Sequence, residues 1–166
     1  MRPTLSPFSS FRICAVSLLS WLTIGTFWGQ WNTSQDATNL PGDCIQITPN
    51  VINQRGGAWH ECALRLDEPF DLEFSVNLGG SDNGADGMCF VIQDSGNNGD
   101  FLVGQNGHSI GFANGPFGNT SIGIELDTFA NDGSPTAGPV NTQDPTYDHM
   151  AIFQGGPLIH GGANEL

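Results

Sequence analysis

Ser121-Ile122-Gly123-Ile124-Glu125-Leu126-Asp127-Thr128-Phe129 alternates in character with a period of two. In an extended chain, Ile122, Ile124 and Leu126 then face one side, and Glu125, Asp127 and Phe129 the other. The period is that of a strand rather than a helix. It also sets two carboxylates side by side on one face. At about 4 Å and an effective dielectric of about 20, their repulsion costs about 4 kcal/mol, and a cation between them reverses the sign. Asn131, two residues past the strand, can add an amide oxygen. Asp144-Pro145 then supplies a turn with a further carboxylate, and His149 opens the next strand. Asp127, Asn131 and Asp144, with a backbone carbonyl, suit Ca2+. Glu125 and His149 beside them suit a transition ion such as Mn2+. On spacing alone the competing reading is a solvated acidic strand with a surface histidine.

Similar short strands surround this one. Ile45–Thr48, Ala58–Leu66, Phe70–Leu78, Met88–Ile92, Ile110–Ala113 and Met150–Phe153 carry apolar runs or alternation. Clusters of Gly, Asn and Asp at 79–84, 94–100 and 114–119 separate them, and no segment shows helical periodicity. Short strands at regular spacing predict an all-β sandwich. The 23 glycines and 10 prolines agree with turns and strands. The 166 residues suffice for one domain. Lys and Arg total 4 against 17 Asp and Glu, for a formal charge of −13. Phosphate recognition needs clustered basic residues, so no nucleic-acid partner is expected. An anionic membrane surface is disfavoured for the same reason.

Residues 1–30 read as a signal peptide lying outside the fold, with residues 31–166 forming the domain. Arg2 and Arg12 flank a polar start, and an uncharged apolar run follows from Ile13 to Trp28; an N-terminal membrane anchor is the alternative. Export predicts a secreted, extracellular or cell-surface protein, in an oxidising compartment. Of the cysteines, Cys14 leaves with the leader. Cys44 and Cys62 begin and end an expected hairpin and could form a disulfide there. Cys89 is expected to be a buried free thiol.

With these residues in place, the chain resembles the L-type (legume-type) lectins. Their metal loop runs Glu-x-Asp-x-aromatic-x-Asn, then Asp-Pro, then His before a strand. Glu125, Asp127, Phe129, Asn131, Asp144-Pro145 and His149 match it. Upstream, Ala85-Asp86-Gly87 resembles the family's Ala-Asp-Gly strand, and Gly107-His108-Ser109-Ile110-Gly111-Phe112 its glycine-rich sugar loop. The resemblance spans about residues 36–166. It implies a concanavalin A-like β-sandwich (jelly roll) that binds a glycan or glycoprotein without altering it, with Ca2+ and Mn2+ or a similar transition ion as cofactors. Glu125, Asp127, Phe129, Asn131, Asp144 and His149 would hold the metals. Asp86, Gly107, Phe129 and Asn131 would bind the carbohydrate: Asp86 accepts from sugar hydroxyls, Asn131 donates to the sugar, and the Phe129 ring covers an apolar sugar face. A backbone N–H near Gly107 or His108 would complete the cradle. The resemblance further implies a cis peptide at Ala85–Asp86.

Two departures stand out. Asp132–Gln143 is longer than the family's compact loop, so Asp132 competes as a metal ligand. The family's later strands have no counterpart before Leu166, so the sandwich is expected to be incomplete in this chain, with further chain or domains beyond it. Two other functions compete with the lectin reading. A glycoside hydrolase on the same sandwich needs a second carboxyl as acid/base, and Phe129 stands where that group would be. A Ca2+-stabilised adhesion module without sugar binding would not need Asp86, Phe129 and Asn131 together. His60, His108 and His160 lie in unrelated contexts and read as structural or exposed.

Overall fold

The computed structural model describes residues 31–81, 83–93, 102–113, 115, 117, 120–131, 144–155 and 158–166, together with the backbone of Phe11–Ala15. Among these the regular structure is β, apart from one 3-10 turn, Gly107–Ser109. Its strands are β1 (Phe11–Ala15), β2 (Trp31–Gln35), β3 (Thr38–Leu40), β4 (Cys44–Thr48), β5 (Gly56–His60), β6 (Phe74–Asn77), β7 (Gly87–Ile92), β8 (Ile122–Asp127) and β9 (His149–Gln154). They form a four-stranded sheet in the order β3-β4-β1-β6, a pair β2-β5, and a three-stranded sheet β7-β8-β9. The pairings are antiparallel.

The β7-β8-β9 sheet carries the central sequence stretch. Its register aligns Gly87 with Asp127 and Asp127 with His149, and likewise Cys89 with Glu125 and Glu125 with Ala151. One row further, Val91, Gly123 and Phe153 line up. Because alternate residues share a face, this side of the sheet is polar at one end and apolar at the other. The apolar end packs into a core of Phe112, Phe117, Phe153 and Leu158, with Cys89 and Val91 against it. The opposite face contributes Met88 and Leu126 to a second core with Ile45 and Ile47, while Ile122, Met150 and Ile152 remain exposed.

The alternation expected of residues 121–129 is observed, and the buried side is the charged one: Ser121, Gly123, Glu125 and Asp127 are buried. Phe112 and Phe117 pack on the apolar end of this face, and the Phe112 ring leaves Gly123 no room for a side chain. A Cβ there would lie 2.9 Å from the Phe112 ring and from Cys89 Sγ.

Several expected elements differ. Ile110–Ala113 is a turn, not a strand. Ile110 and Gly111 both take positive φ, and Ala113 N–H and Phe112 N–H bond back to Ser109 O. The strand expected over 58–66 runs from Gly56 to His60, and that over 70–78 is shortened to Phe74–Asn77. Strands also form at Trp31–Gln35 and Thr38–Leu40, ahead of the first one expected in the domain, Ile45–Thr48. The expected hairpin between residues 44–49 and 58–66 does not form, since β4 pairs with β1 and β3 while β5 pairs with β2. The Cys44–Cys62 bridge is accordingly not made: Cys44 is disulfide-bonded, whereas Cys62 is free and exposed. Cys89 is free, as expected, and half-buried. The sequence sets residues 1–30 outside the fold; in the structure Phe11–Ala15 of that segment occupies the position between β4 and β6.

Candidate metal centre and the groups around it

Strand register builds the site. Glu125 and Asp127 project from β8 on the buried face, 1% and 2% exposed. His149 enters beside Asp127 as the first residue of β9. Asp144, 4% exposed, comes back over the same face, and its Oδ2 accepts the backbone N–H of Asn131. That bond closes the two ends of the intervening segment onto each other. Asp132–Gln143, and with it the competing ligand Asp132, lies outside the described residues.

A second layer joins the Ala85-Asp86-Gly87 strand to this group. The Ala85–Asp86 peptide is cis. Asp86 O accepts Thr128 N–H at 3.0 Å, and Asp86 Oδ1 accepts Asn131 Nδ2 at 3.1 Å. Gly87 is required by the close approach of the strands: its φ is +154°, and a Cβ would fall 2.3 Å from Leu126 O. Asp127 Oδ1 accepts Phe129 N–H at 2.7 Å, turning the chain at the strand end. Phe129 there stands 40% exposed, one residue past the Thr128 that bonds the half-buried Asp86. Gly107 opens the 3-10 turn, whose backbone hydrogen bonds stay within residues 104–113. No hydrogen bond among the described residues joins it to Asp86, Phe129 or Asn131.

Four buried side-chain oxygens of this cluster have no hydrogen-bond partner: Glu125 Oε2, Asp127 Oδ2, Asn131 Oδ1 and Asp144 Oδ1. A buried, unpaired carboxylate oxygen is costly, and here the unpaired atoms belong to the residues predicted to ligate metal. Glu125, His149 and His160 form one group with ligand atoms close enough for an ion, and Asp127, Asp144 and His149 a second. The donors fit the two expected classes, oxygen-rich around Asp127 and Asn131 and nitrogen-containing around His149.

His160 was missed by sequence reasoning, which placed it in an unrelated context. It is 7% exposed. Its Nε2 lies 3.3 Å from Glu125 Oε2 and 3.2 Å from His149 Nε2. No periodic signal links it to the motif, because it reaches the site from the turn after β9 rather than from a strand.

The electrostatics have a measurable consequence. Without a bound ion, burial first, and then the neighbouring Asp127, Asp144 and Glu165 carboxylates, push the Glu125 pKa from its ordinary 4.5 up to about 8. Burial likewise raises Asp127 to about 6, against the lowering effect of the Phe129 N–H. A carboxyl whose pKa is higher in the folded than in the unfolded chain binds more protons when folded. The metal-free protein therefore loses stability as pH rises from about 4.5 to about 8. At about 1.4 kcal/mol per unit of pKa, the effect is several kcal/mol. Thermal unfolding followed by circular dichroism is expected to give a metal-free Tm roughly 10 °C lower at pH 8 than at pH 5. Divalent metal should raise it most at the higher pH. A Tm that climbs over that range without metal would contradict the burial argument.

Among known families, the legume lectin domain model matches residues 24–152. No solved structure matched the chain.

Proposed function

The chain belongs to the legume lectin domain family, carbohydrate-binding β-sandwiches of the concanavalin A type, and we propose that it is an exported lectin whose glycan site is held in shape by Ca2+ and a transition ion. The observation that carries the metal dependence is the set of four unpaired buried oxygens on Glu125, Asp127, Asn131 and Asp144. Asp127, Asn131, Asp144 and the Phe129 carbonyl would hold Ca2+. Glu125, Asp127, Asp144 and His149 would hold the transition ion. When bound, the ions supply positive charge that neutralises the carboxylates and fixes the loop.

The chain's own residues do the recognition. Asp86 presents acceptor oxygens to sugar hydroxyls, and its Oδ1 already takes one N–H of Asn131. The second N–H of that amide is left to donate to the ligand. The exposed Phe129 ring offers a flat apolar surface to the hydrogen-bearing face of a pyranose. The Gly107 turn is the remaining contact. Recognition without turnover is supported by Phe129 standing where a hydrolase on this sandwich would carry its second carboxyl. Glu125 is itself buried rather than open to a ligand.

Export is supported by the uncharged run Ile13–Trp28 after Arg2 and Arg12, and is checked by N-terminal sequencing of the chain recovered outside the cell. The function is tested on a glycan array with Ca2+ and Mn2+ present, followed by chromatography of the bound oligosaccharide. The expected result is selective retention of a sugar class that elutes unchanged. No retention on any glycan, or shortened oligosaccharide, would overturn the reading.

A further inference from the structure

His160 sits where a further ligand to the transition ion would sit. Its Nε2 is 3.2 Å from His149 Nε2, 3.3 Å from Glu125 Oε2 and 3.5 Å from Asp144 Oδ1. His149 Nε2 in turn lies 3.6 Å and 3.7 Å from the same two oxygens. Neighbouring ligands on one ion, with bonds of about 2.1 Å, stand about 3.0–3.4 Å apart. The two shortest of these separations fall in that range.

The outer nitrogens point the same way. His149 Nδ1 lies 3.1 Å from the Tyr147 carbonyl oxygen, an acceptor only, so Nδ1 carries the proton and donates. His160 Nδ1 lies on the side of a carboxylate, 3.7 Å from Glu165 Oε1, longer than a hydrogen bond. A metal-binding imidazole is held in this way, with its far N–H against a carbonyl or carboxylate. With Nδ1 as the protonated nitrogen on both rings, the two Nε2 atoms, 3.2 Å apart, turn bare lone pairs toward each other and toward two carboxylate oxygens that lack hydrogen-bond partners. Four electron-rich atoms facing one point repel unless a cation lies among them.

We propose that His160 is a direct ligand of the transition ion, making a two-histidine centre that favours an imidazole-preferring ion such as Zn2+ over Mn2+. The proposal rests on the metal-dependent reading above and goes beyond it in ligand set and ion identity. Nitrogen donors suit Zn2+, Cu2+ and Ni2+, whereas Mn2+ is at home among carboxylates, carbonyls and water. Through His160 the ion also fastens the segment after β9 to the sheet. Backbone bonds from Gln154 N–H to Asn164 O and from Leu166 N–H to Ile152 O, and burial of Leu158 in the core, hold that segment as well.

The test uses the full chain, stripped of metal and then saturated with Ca2+. Zn2+ and Mn2+ affinities are measured by chelator competition, and Cu2+ serves as a spectroscopic probe in pulsed electron paramagnetic resonance. Two coupled imidazole nitrogens are expected on bound Cu2+ in the unsubstituted protein. His160→Gln is expected to leave one, and to weaken Zn2+ by about 100-fold or more but Mn2+ by less than about tenfold. His60→Gln, a histidine packed on Trp31, should change neither. One coupled imidazole in the unsubstituted protein overturns the proposal, even if His160→Gln does not fold. So does an equal loss of Zn2+ and Mn2+ affinity in that variant. If His149→Gln removes the transition ion while His160→Gln is silent, only the His160 assignment fails. If the unsubstituted chain takes up no transition ion, the metal-dependent reading fails with it.

Discussion

Complete removal of divalent metal is expected to lower glycan affinity by at least about 100-fold, close to 3 kcal/mol, and re-addition of Ca2+ with a transition ion to restore it. The reason lies in the residues that face both ways. Asn131 donates to Asp86 through Nδ2 while its Oδ1 stays buried and unpaired. Asp127 fixes the Phe129 backbone through Oδ1 while its Oδ2 is likewise unpaired. In the proposed site, the side chains that would hold the metals thus also position Asp86 and Phe129, which would meet the sugar. Without cations, the close carboxylates repel by a few kcal/mol, or take up protons, as the raised pKa of Glu125 indicates. Either response moves Asn131 and Phe129 relative to Asp86. Affinity on immobilised glycan, measured before and after exhaustive chelation, checks this. Binding that survives full metal removal would sink the mechanism.

Asp86→Ala should have a comparable effect on sugar and a small one on metal. A hydrogen bond to a charged acceptor contributes about 1.5–3 kcal/mol. Losing two such bonds from sugar hydroxyls costs about 3–6 kcal/mol, or at least about 100-fold in affinity. The fold should survive, because the strand is anchored by backbone: Asp86 O still receives Thr128 N–H. Asn131 loses an acceptor but keeps its backbone bond to Asp144, so Ca2+ affinity should fall by less than about tenfold. Calorimetry with sugar and with Ca2+ separates the two effects. Sugar affinity within threefold of the parent would remove Asp86 from the site, and a parallel collapse of Ca2+ affinity would make it a metal-positioning residue.

Much of the site was legible because its chemistry follows the strand period. Glu125 and Asp127 fall two apart and share a face by the geometry of an extended chain, and the structure places both on that face. The return of Asp144 and His149 was legible as a turn followed by a strand. The strand expected over Ile110–Ala113 failed for a local reason: Ile110 and Gly111 adopt positive φ, and an apolar run carries no mark of that. The Cys44–Cys62 bridge failed because it needs sequential strands to pair, whereas β4 and β5 belong to different sheets.

The sequence by itself determined the strand alternation, the pairing of carboxylates on one face and the family, since each is written in near-neighbour spacing or in an ordered motif. Only the tertiary structure decided that the charged face is the buried one. Burial depends on what covers a face, and here distant Phe112 and Phe117 pack on its apolar end while His149 and His160 close over Glu125 and Asp144. Only the tertiary structure, too, brought His160 against Glu125 and His149. Its position is set by the turn after β9, and no period in the sequence encodes where a turn delivers a side chain.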